Sequence, residues 1–216
     1  MFQLRKPTIK LARTVLKTCF DGLFLYKKSS NIVPDSKLVI FAIIKIMKVV
    51  LFMATSLNGM IATKDGKEDF LSHENWKSFV SIANKIGNFV VGRRTYDTVK
   101  NWNEGYGFDD FSELDRVIVS SNSSLVVKNY LTATSAKEVV DKLQQKGHEI
   151  ILVTGGSGVN TLFVDYIDEV WINIEPVLVG AGVPLFKETD FTLRLKLFES
   201  IDIGEGILQL RYKVLK

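Results

Sequence analysis

Cysteine and histidine are scarce in this chain of 216 residues, and their scarcity disfavours several kinds of chemistry. The one cysteine, Cys19, lies near the amino terminus, so residues 47–216 can form neither a disulfide nor a thiolate zinc site. Two histidines, His73 and His148, are too few for a multi-histidine centre, and we expect no metal site. The sequence also has no Gly-x-Ser-x-Gly elbow and no P-loop.

Charge is distributed unevenly along the chain. Residues 1–46 hold nine basic residues against two acidic ones, which leaves 19 basic and 22 acidic residues for 47–216. The formal net charge of +4 therefore comes from a basic amino-terminal extension, and it does not indicate a nucleic-acid partner for the rest of the chain. We expect residues 1–46 to be a leader, a targeting segment or the product of a mis-assigned start codon.

The extension contains two patterned segments. Residues 13–26 are compatible with a short amphipathic helix. Residues 38–54 form an apolar run of about membrane length, but Lys45 and Lys48 interrupt it, so the pattern disfavours a transmembrane helix. We expect a cytoplasmic protein, and organelle targeting by residues 1–46 stays an open alternative.

From Met47 onward, apolar runs typical of buried strands alternate with segments of helical periodicity. Strands are predicted at 49–54, 89–91, 115–120, 150–153 and 168–179, with a terminal hairpin at 192–199 and 206–214. Helices are predicted after Ser72, from 93 to 102, at 135–146 and at 159–164. This order predicts one α/β domain with a mostly parallel central sheet and an antiparallel edge near the carboxyl terminus. The apolar tail strands either complete the core or pair two subunits in a homodimer.

Three turns that follow predicted strands have side chains suited to phosphate groups. Residues 153–158 pass from a buried strand through a Gly-Gly pair into a helix, whose first N–H groups suit a pyrophosphate. At 91–95 two arginines stand where a helix begins, and basic charge there opposes the helix dipole, which favours a bound anion. The serine-rich turn at 119–124 can hold a ribose 2′-phosphate. Each turn alone is also compatible with an ordinary tight turn, but together they indicate an extended dinucleotide site.

The motifs at these turns resemble those of dihydrofolate-reductase-like proteins. Residues 55–62 (Thr-Ser-Leu-Asn-Gly-Met-Ile-Ala) are similar to the family's first-strand motif Ser-Leu-Asp-Gly-x-Ile-Ala. Residues 91–96 are similar to its Gly-Arg-x-Thr motif, and 153–156 to its Gly-Gly turn. Residues 168–186 most resemble the reductase domain of the riboflavin-pathway deaminase/reductase, here without the deaminase half. The resemblance covers about residues 48–215.

The resemblance implies a three-layer α/β sandwich, NADPH as cofactor, and hydride transfer to a small pyrimidine or pterin. It places the following residues at the cofactor: Ala54, Ile61, Gly92, Arg93, Arg94, Thr95, Ser120, Ser121, Thr154, Gly155, Gly156, Ser157, Gly158 and Val159. The arginine pair and the serine pair would favour NADPH over NADH by contacting the extra phosphate.

Two positions depart from the family's pattern. Thr154 stands where the riboflavin-type reductase usually has a substrate-binding Glu, and Asn58 replaces the usual Asp of the first motif. We expect the catalytic residues to be Asn58, whose loop would cover the nicotinamide, and Glu74, which would bind amino-pyrimidine N–H groups or steer a proton. Asp69 is a weaker alternative to Glu74.

Expectations also follow for four histidine and aromatic residues near the expected substrate site, and for the substrate itself. We expect His73 at the surface and Trp76 in the core, while Trp102 and Tyr106 either anchor their loop or edge the substrate pocket. The favoured reaction is that of a 5-amino-6-(5-phosphoribosylamino)uracil reductase. Dihydrofolate reduction is the alternative substrate assignment, and a non-catalytic nucleotide-binding module is the alternative of another class.

Overall fold

The computed structural model describes residues 19–20, 23–24, 47–102 and 106–216. The chain divides into two units, Met1–Lys45 and Ile46–Lys216. In the first unit, strands β1 (Cys19–Phe20) and β2 (Leu23–Phe24) pair antiparallel. The helix expected over 13–26 is therefore wrong at these four positions, and the rest of that segment lies outside the described residues.

The second unit alternates strands and helices. Its strands are β3 (Lys48–Ser56), β4 (Met60–Thr63), β5 (Asn88–Gly92), β6 (Asp115–Val119), β7 (Leu131–Ala133), β8 (Ile150–Val153), β9 (Ile167–Glu175), β10 (Gly182–Pro184), β11 (Arg194–Asp202) and β12 (Leu208–Leu215). Its helices are α1 (His73–Ile86), α2 (Arg93–Val99), α3 (Ala136–Gln145) and α4 (Ser157–Leu162), with a 3₁₀ turn at Phe108–Asp110.

Eight of these strands form one sheet in the order β11-β12-β9-β3-β8-β5-β6-β7. Strand β3 is parallel to both β8 and β9, and β5, β6 and β7 continue the parallel part. Strands β12 and β11 add antiparallel pairs at one edge. The expected α/β fold, with a mostly parallel sheet and an antiparallel carboxyl-terminal edge, is confirmed. Strands β4 and β10 form a separate antiparallel pair.

Apolar clusters cover both faces of the large sheet, which makes three layers. Successive side chains of a strand point to opposite faces. Accordingly Val49 and Leu51 pack in one cluster with buried residues of α3 and α4. Val50 and Phe52 belong to a second cluster with buried residues of α1 and α2. The continuous apolar run of β3 is thus explained by burial on both faces.

Short-range signals fix the ends of several elements. The Ser72 hydroxyl accepts a hydrogen bond from the Asn75 N–H at 3.2 Å, so Ser72 caps α1 as expected. The same helix ends at Gly87, whose φ of 85° is left-handed. The strand expected over 168–179 ends earlier, at Glu175, because Pro176 has no N–H to donate to a ladder.

The carboxyl-terminal hairpin forms as expected, with β11 and β12 joined by a turn at 203–207. Leu195, Leu197 and Leu208 are exposed, whereas Ile207 is buried in the core.

Among the helices of the described residues, none is long and apolar enough to span a bilayer. The part of the apolar run at 48–54 belongs to β3, and its first part, 38–46, lies outside the described residues.

Candidate active site

A cleft of about 430 Å³ lies beside the second half of β3. One wall is formed by Ala54 of β3, Ile61 of β4 and the turn at 154–156, which follows β8. The other walls come from the segment 68–72, from α1, and from α2 with the residues after it. The cleft therefore opens where the carboxyl ends of parallel strands gather, which is the usual ligand position in an open α/β sheet.

The two glycine-containing turns predicted to bind the cofactor lie against each other. The Gly92 N–H donates to the Gly155 carbonyl at 2.8 Å, and the Thr154 N–H donates to the Val90 carbonyl at 2.9 Å. The Gly155–Gly156 peptide is cis, and Gly155 has a φ of 112°. Only glycine adopts that φ readily, so the sequence at this turn is dictated by its backbone.

The turn at 154–156 lies close to hydroxyl groups at the wall of the cleft. A Cβ added at Gly156 would lie 3.0 Å from the Thr95 hydroxyl and would protrude at the cleft wall. The Ser157 hydroxyl is buried and has no hydrogen-bond partner among the described residues. A phosphate or amide group of a ligand would satisfy that hydroxyl, since a buried unpaired donor is costly. The small turn, the neighbouring hydroxyl of Thr95 and the orphaned hydroxyl thus suit the NADPH expected from the sequence.

The residues expected at the phosphates have unequal surroundings. The Arg93 Nε donates to both carboxylate oxygens of Asp97, at 2.7 and 2.8 Å, so Arg93 is held along its own helix. Arg94 is exposed. The Ser120 hydroxyl accepts the Asn122 N–H at 3.1 Å, which is the geometry of a local turn, and Ser121 is exposed. Arg94 and Ser121 are therefore the more accessible members of the two pairs.

Lys187 is a basic residue beside Gly158, one of the expected cofactor residues, and the sequence analysis did not single it out. A Cβ added at Gly158 would lie 3.3 Å from the Lys187 ammonium, so this cation reaches the first turn of α4. Its backbone N–H donates to the Thr161 hydroxyl at 2.9 Å, which holds the segment against α4. No local pattern could have indicated it, because Lys187 follows Gly158 by 29 residues in the sequence.

Asn58 lies in the loop between β3 and β4 and is not among the residues that line the cleft. Its amide donates to the Val179 carbonyl at 2.7 Å and accepts the Val179 N–H at 3.1 Å. It also accepts the Ser56 hydroxyl at 2.9 Å. Asn58 thus fastens this loop to the segment after β9. The structure gives it a positioning contact, whereas the sequence analysis expected a catalytic one.

Glu74, the other expected catalytic residue, is not brought to the cleft either. Its carboxylate pairs with the Lys77 ammonium at 2.6 Å, because residues three apart lie on the same side of a helix. The α1 side chains that line the cleft include Asn75 and Trp76. Glu74 is therefore held at Lys77 outside the set of residues that line the cleft, and its expected catalytic role stays a prediction.

Two other acidic residues do line the cleft, Glu68 and Asp69. Asp69 was the weaker alternative in the sequence analysis, and Glu68 was not singled out. Glu68 is partly buried, and burial raises the pKa of its carboxyl to about 7. Within the described residues, the Glu68 carboxyl has no hydrogen-bond or ion-pair partner. A carboxyl that is neutral in part at physiological pH can donate as well as accept a proton.

An aromatic group forms the far wall of the cleft. The Trp76 ring lies 5.5 Å from that of Tyr106 and 6.3 Å from that of Trp102, measured between centroids. The Tyr106 hydroxyl is 2.5 Å from His73 Nδ1. Trp76 therefore contributes both to the core cluster and to the cleft, and His73, exposed as expected, stands at the rim. Trp102 and Tyr106 edge the cleft and also contact their neighbours.

Buried polar contacts fix α1, which carries part of this wall, to the sheet. The Glu175 carboxylate accepts both the N–H and the hydroxyl of Ser72 at 3.0 Å. The Asn173 amide donates to the Asn75 side chain at 2.7 Å and in turn accepts the Gln209 amide at 2.9 Å. Asn173 and Gln209 are almost completely buried. Satisfied networks of this kind hold one arrangement of the elements they join.

The described residues contain no cluster of metal-ligating side chains. Across residues 47–102 and 106–216, no group of three or more His, Cys, Asp or Glu side chains is arranged to hold a metal ion.

Comparison with known proteins agrees with this geometry. A family model described as the RibD C-terminal domain matches residues 47–209. The uncharacterized protein YwjB of Bacillus subtilis (strain 168) is 30% identical over 171 residues, which cover 76% of this chain and 97% of that protein. The crystal structure of a putative riboflavin biosynthesis protein from Shewanella sp. PV-4 has a TM-score of 0.64 at 27% identity, covering 79% of this chain and 100% of that one.

Dihydrofolate reductase shares the fold. The enzyme from Enterococcus faecalis, whose structure is complexed with NADP(H), has a TM-score of 0.58 at 16% identity and covers 78% of this chain and 97% of its own. The match is structural, and it confirms the dihydrofolate-reductase-like architecture expected from the motifs. The chain belongs to the family of the RibD C-terminal domain, a reductase-like family with the dihydrofolate reductase fold.

Proposed function

We propose that this protein is an NADPH-dependent reductase that transfers hydride to a small pyrimidine or pterin. The observation that carries the proposal is the joined glycine turn beside the cleft, where Gly156 leaves space next to Thr95 and the buried Ser157 hydroxyl lacks a partner. Bound NADPH would supply the hydride. The chain's own residues hold the cofactor at this turn, limit water in the cleft and orient the substrate.

The cleft residues favour a heteroaromatic substrate that carries N–H groups. The carboxyl groups of Glu68 and Asp69 can accept hydrogen bonds from amino and ring N–H groups. The Trp76 and Trp102 rings offer apolar surface for a flat ring. A 5-amino-6-(5-phosphoribosylamino)uracil-type substrate is our first choice, because residues 168–186 resemble the riboflavin-pathway reductase and the family model matches the chain. Dihydrofolate is the second choice, supported by the shared fold.

Binding and turnover can be measured separately on the full chain. Quenching of tryptophan fluorescence should report NADPH binding, with NADPH bound more tightly than NADH. Loss of dihydronicotinamide absorbance should then follow addition of the phosphoribosylaminouracil, its dephosphorylated form or dihydrofolate. The Gly156→Ala variant serves as the negative control. Its methyl group would occupy the turn, so this variant should lose NADPH binding.

The outcomes distinguish the alternatives. Turnover with one substrate identifies the reaction. Tight NADPH binding without turnover on any pyrimidine or pterin would favour the non-catalytic nucleotide-binding module. If NADPH does not bind, the proposed function is wrong.

A further inference from the structure

Glu68 lies on a short fixed turn between β4 and α1. The Thr63 N–H donates to the Lys67 carbonyl at 2.8 Å, which closes the chain just before Glu68. The Leu71 N–H donates to the Glu68 carbonyl at 2.9 Å, which closes the chain just after it. From this turn, Glu68 lines the same cleft as Ala54 and the turn at 154–156.

The proposed reaction needs a proton as well as a hydride. When hydride adds to the carbon of a C=N or C=O bond, the π electron pair moves to the nitrogen or oxygen, and that atom must take a proton. A side chain that lines the cleft and still holds a proton near neutral pH can supply it.

Four titratable side chains line the described part of the cleft: Glu68, Asp69, His73 and Tyr106. Asp69 and His73 are exposed, and His73 shares a short hydrogen bond with Tyr106. The walls formed by β3, α2 and the turn at 154–156 contribute no ionisable side chain within the described residues. Glu68 is more enclosed than either exposed group, and burial alone raises the pKa of its carboxyl to about 7. Its carboxyl is also free of partners among the described residues.

We propose that the Glu68 carboxyl donates the proton that accompanies hydride transfer, so that Glu68 is a catalytic residue of this cleft. The inference rests on the proposed function. In the balanced step, a dihydronicotinamide gives a hydride to the substrate carbon and becomes the oxidised nicotinamide. The substrate nitrogen or oxygen takes the Glu68 proton, and the resulting carboxylate regains a proton from water.

The test compares the wild type with Glu68→Gln, Glu68→Asp and the control Glu113→Gln. Glu113 is exposed and does not line the cleft, so its variant should match the wild type. The first readout needs neither cofactor nor turnover. Infrared spectra at increasing pH should show a protonated carboxyl band that disappears near pH 7 in the wild type and is missing in Glu68→Gln.

The second readout is the pH profile of kcat/KM. In the wild type this value should fall as pH rises through about 7, because Glu68 loses its proton. In Glu68→Gln the value below pH 7 should drop by about 100-fold, within the range for loss of a general acid, and the limb near pH 7 should vanish. Glu68→Asp should restore part of the rate. NADPH binding, measured by fluorescence, should be similar in all four proteins.

The outcomes separate this inference from the proposed function. If the wild type binds NADPH and reduces a substrate, but Glu68→Gln keeps the rate and the pH profile, the role of Glu68 is refuted and the reductase stands. If the infrared titration shows no carboxyl that titrates near pH 7, the role of Glu68 is likewise refuted. If the wild type neither binds NADPH nor turns over, the reductase proposal fails and the role of Glu68 fails with it.

Discussion

Replacing Glu68 by glutamine should change how the stability of the fold depends on pH. Burial raises the pKa of this carboxyl from 4.5 to about 7 in the folded chain. Between these values the folded state holds a proton that the unfolded state has lost, so the free energy of unfolding falls as pH rises. A difference of this size corresponds to about 3 kcal/mol, at about 1.4 kcal/mol for each pKa unit. Because the side chain is only partly buried, we expect about 2 kcal/mol.

Urea denaturation of the full chain at pH 5 and pH 8, followed by tryptophan fluorescence, measures this effect. The loss of stability from pH 5 to pH 8 should be about 2 kcal/mol larger in the wild type than in Glu68→Gln, because a glutamine amide does not ionise over this range. Glu113→Gln removes an exposed carboxyl and should keep the wild-type dependence. Equal pH dependence in wild type and Glu68→Gln would refute the reasoning that burial keeps this carboxyl protonated.

Three further substitutions test separate contacts. Gly156→Ala places a methyl group 3.0 Å from the Thr95 hydroxyl, at the wall of the cleft proposed to hold the cofactor, and should weaken NADPH binding about 10-fold or more, about 1.4 kcal/mol, in a fluorescence titration. Arg116→Lys replaces a buried guanidinium that donates to the backbone carbonyls of Phe108, Asp109 and Asn129, so urea denaturation should show a loss of about 2–3 kcal/mol. Asn58→Asp replaces the amide that donates to the Val179 carbonyl with an acceptor. Because this bond is exposed to water, the fold should lose about 0.5–1.5 kcal/mol.

The matched control for the two stability variants is Lys128→Ala, since Lys128 is exposed and precedes the Asn129 carbonyl that Arg116 contacts. It should unfold within about 0.5 kcal/mol of the wild type. If Arg116→Lys or Asn58→Asp is no less stable than this control, the corresponding hydrogen bonds do not contribute as proposed.

Much of the fold could be predicted because its signals are local. The runs 49–54, 89–91 and 150–153 consist of consecutive apolar residues, so both faces of each strand are apolar. A strand in the middle layer of a three-layer fold requires this, because both of its faces are buried. The serine cap of α1 marks a helix start that the sequence predicts. The sequence does not predict the end of β9, since the apolar run after Pro176 favours a continuation of the strand. The Gly-Gly turn could also be predicted, because Gly155 has a positive φ of 112° that only glycine adopts readily.

The chemistry of the cleft was harder to predict because it depends on burial. Glu68 and Glu74 are both acids close to the start of α1, and nothing in the local sequence tells them apart. Packing separates them, since Glu68 lines the cleft and Glu74 pairs with Lys77. The position of Lys187 could not be predicted from the local sequence either, because its approach to Gly158 is a tertiary contact. Six of the expected cofactor residues line the cleft, namely Ala54, Ile61, Thr95, Thr154, Gly155 and Gly156. The side chains that would face a substrate could not be identified without the assembled fold.

The place of β3 in the sheet also bears on how the protein is made. Strand β3 leaves the ribosome before the other strands of the large sheet, yet its two ladder partners, β8 and β9, begin at residues 150 and 167. Its apolar residues must therefore wait for more than ninety residues of synthesis before either partner exists. During that interval an unpaired apolar strand is open to association with other nascent chains. The sheet order thus leaves the apolar residues of β3 without a ladder partner until β8 has been synthesised.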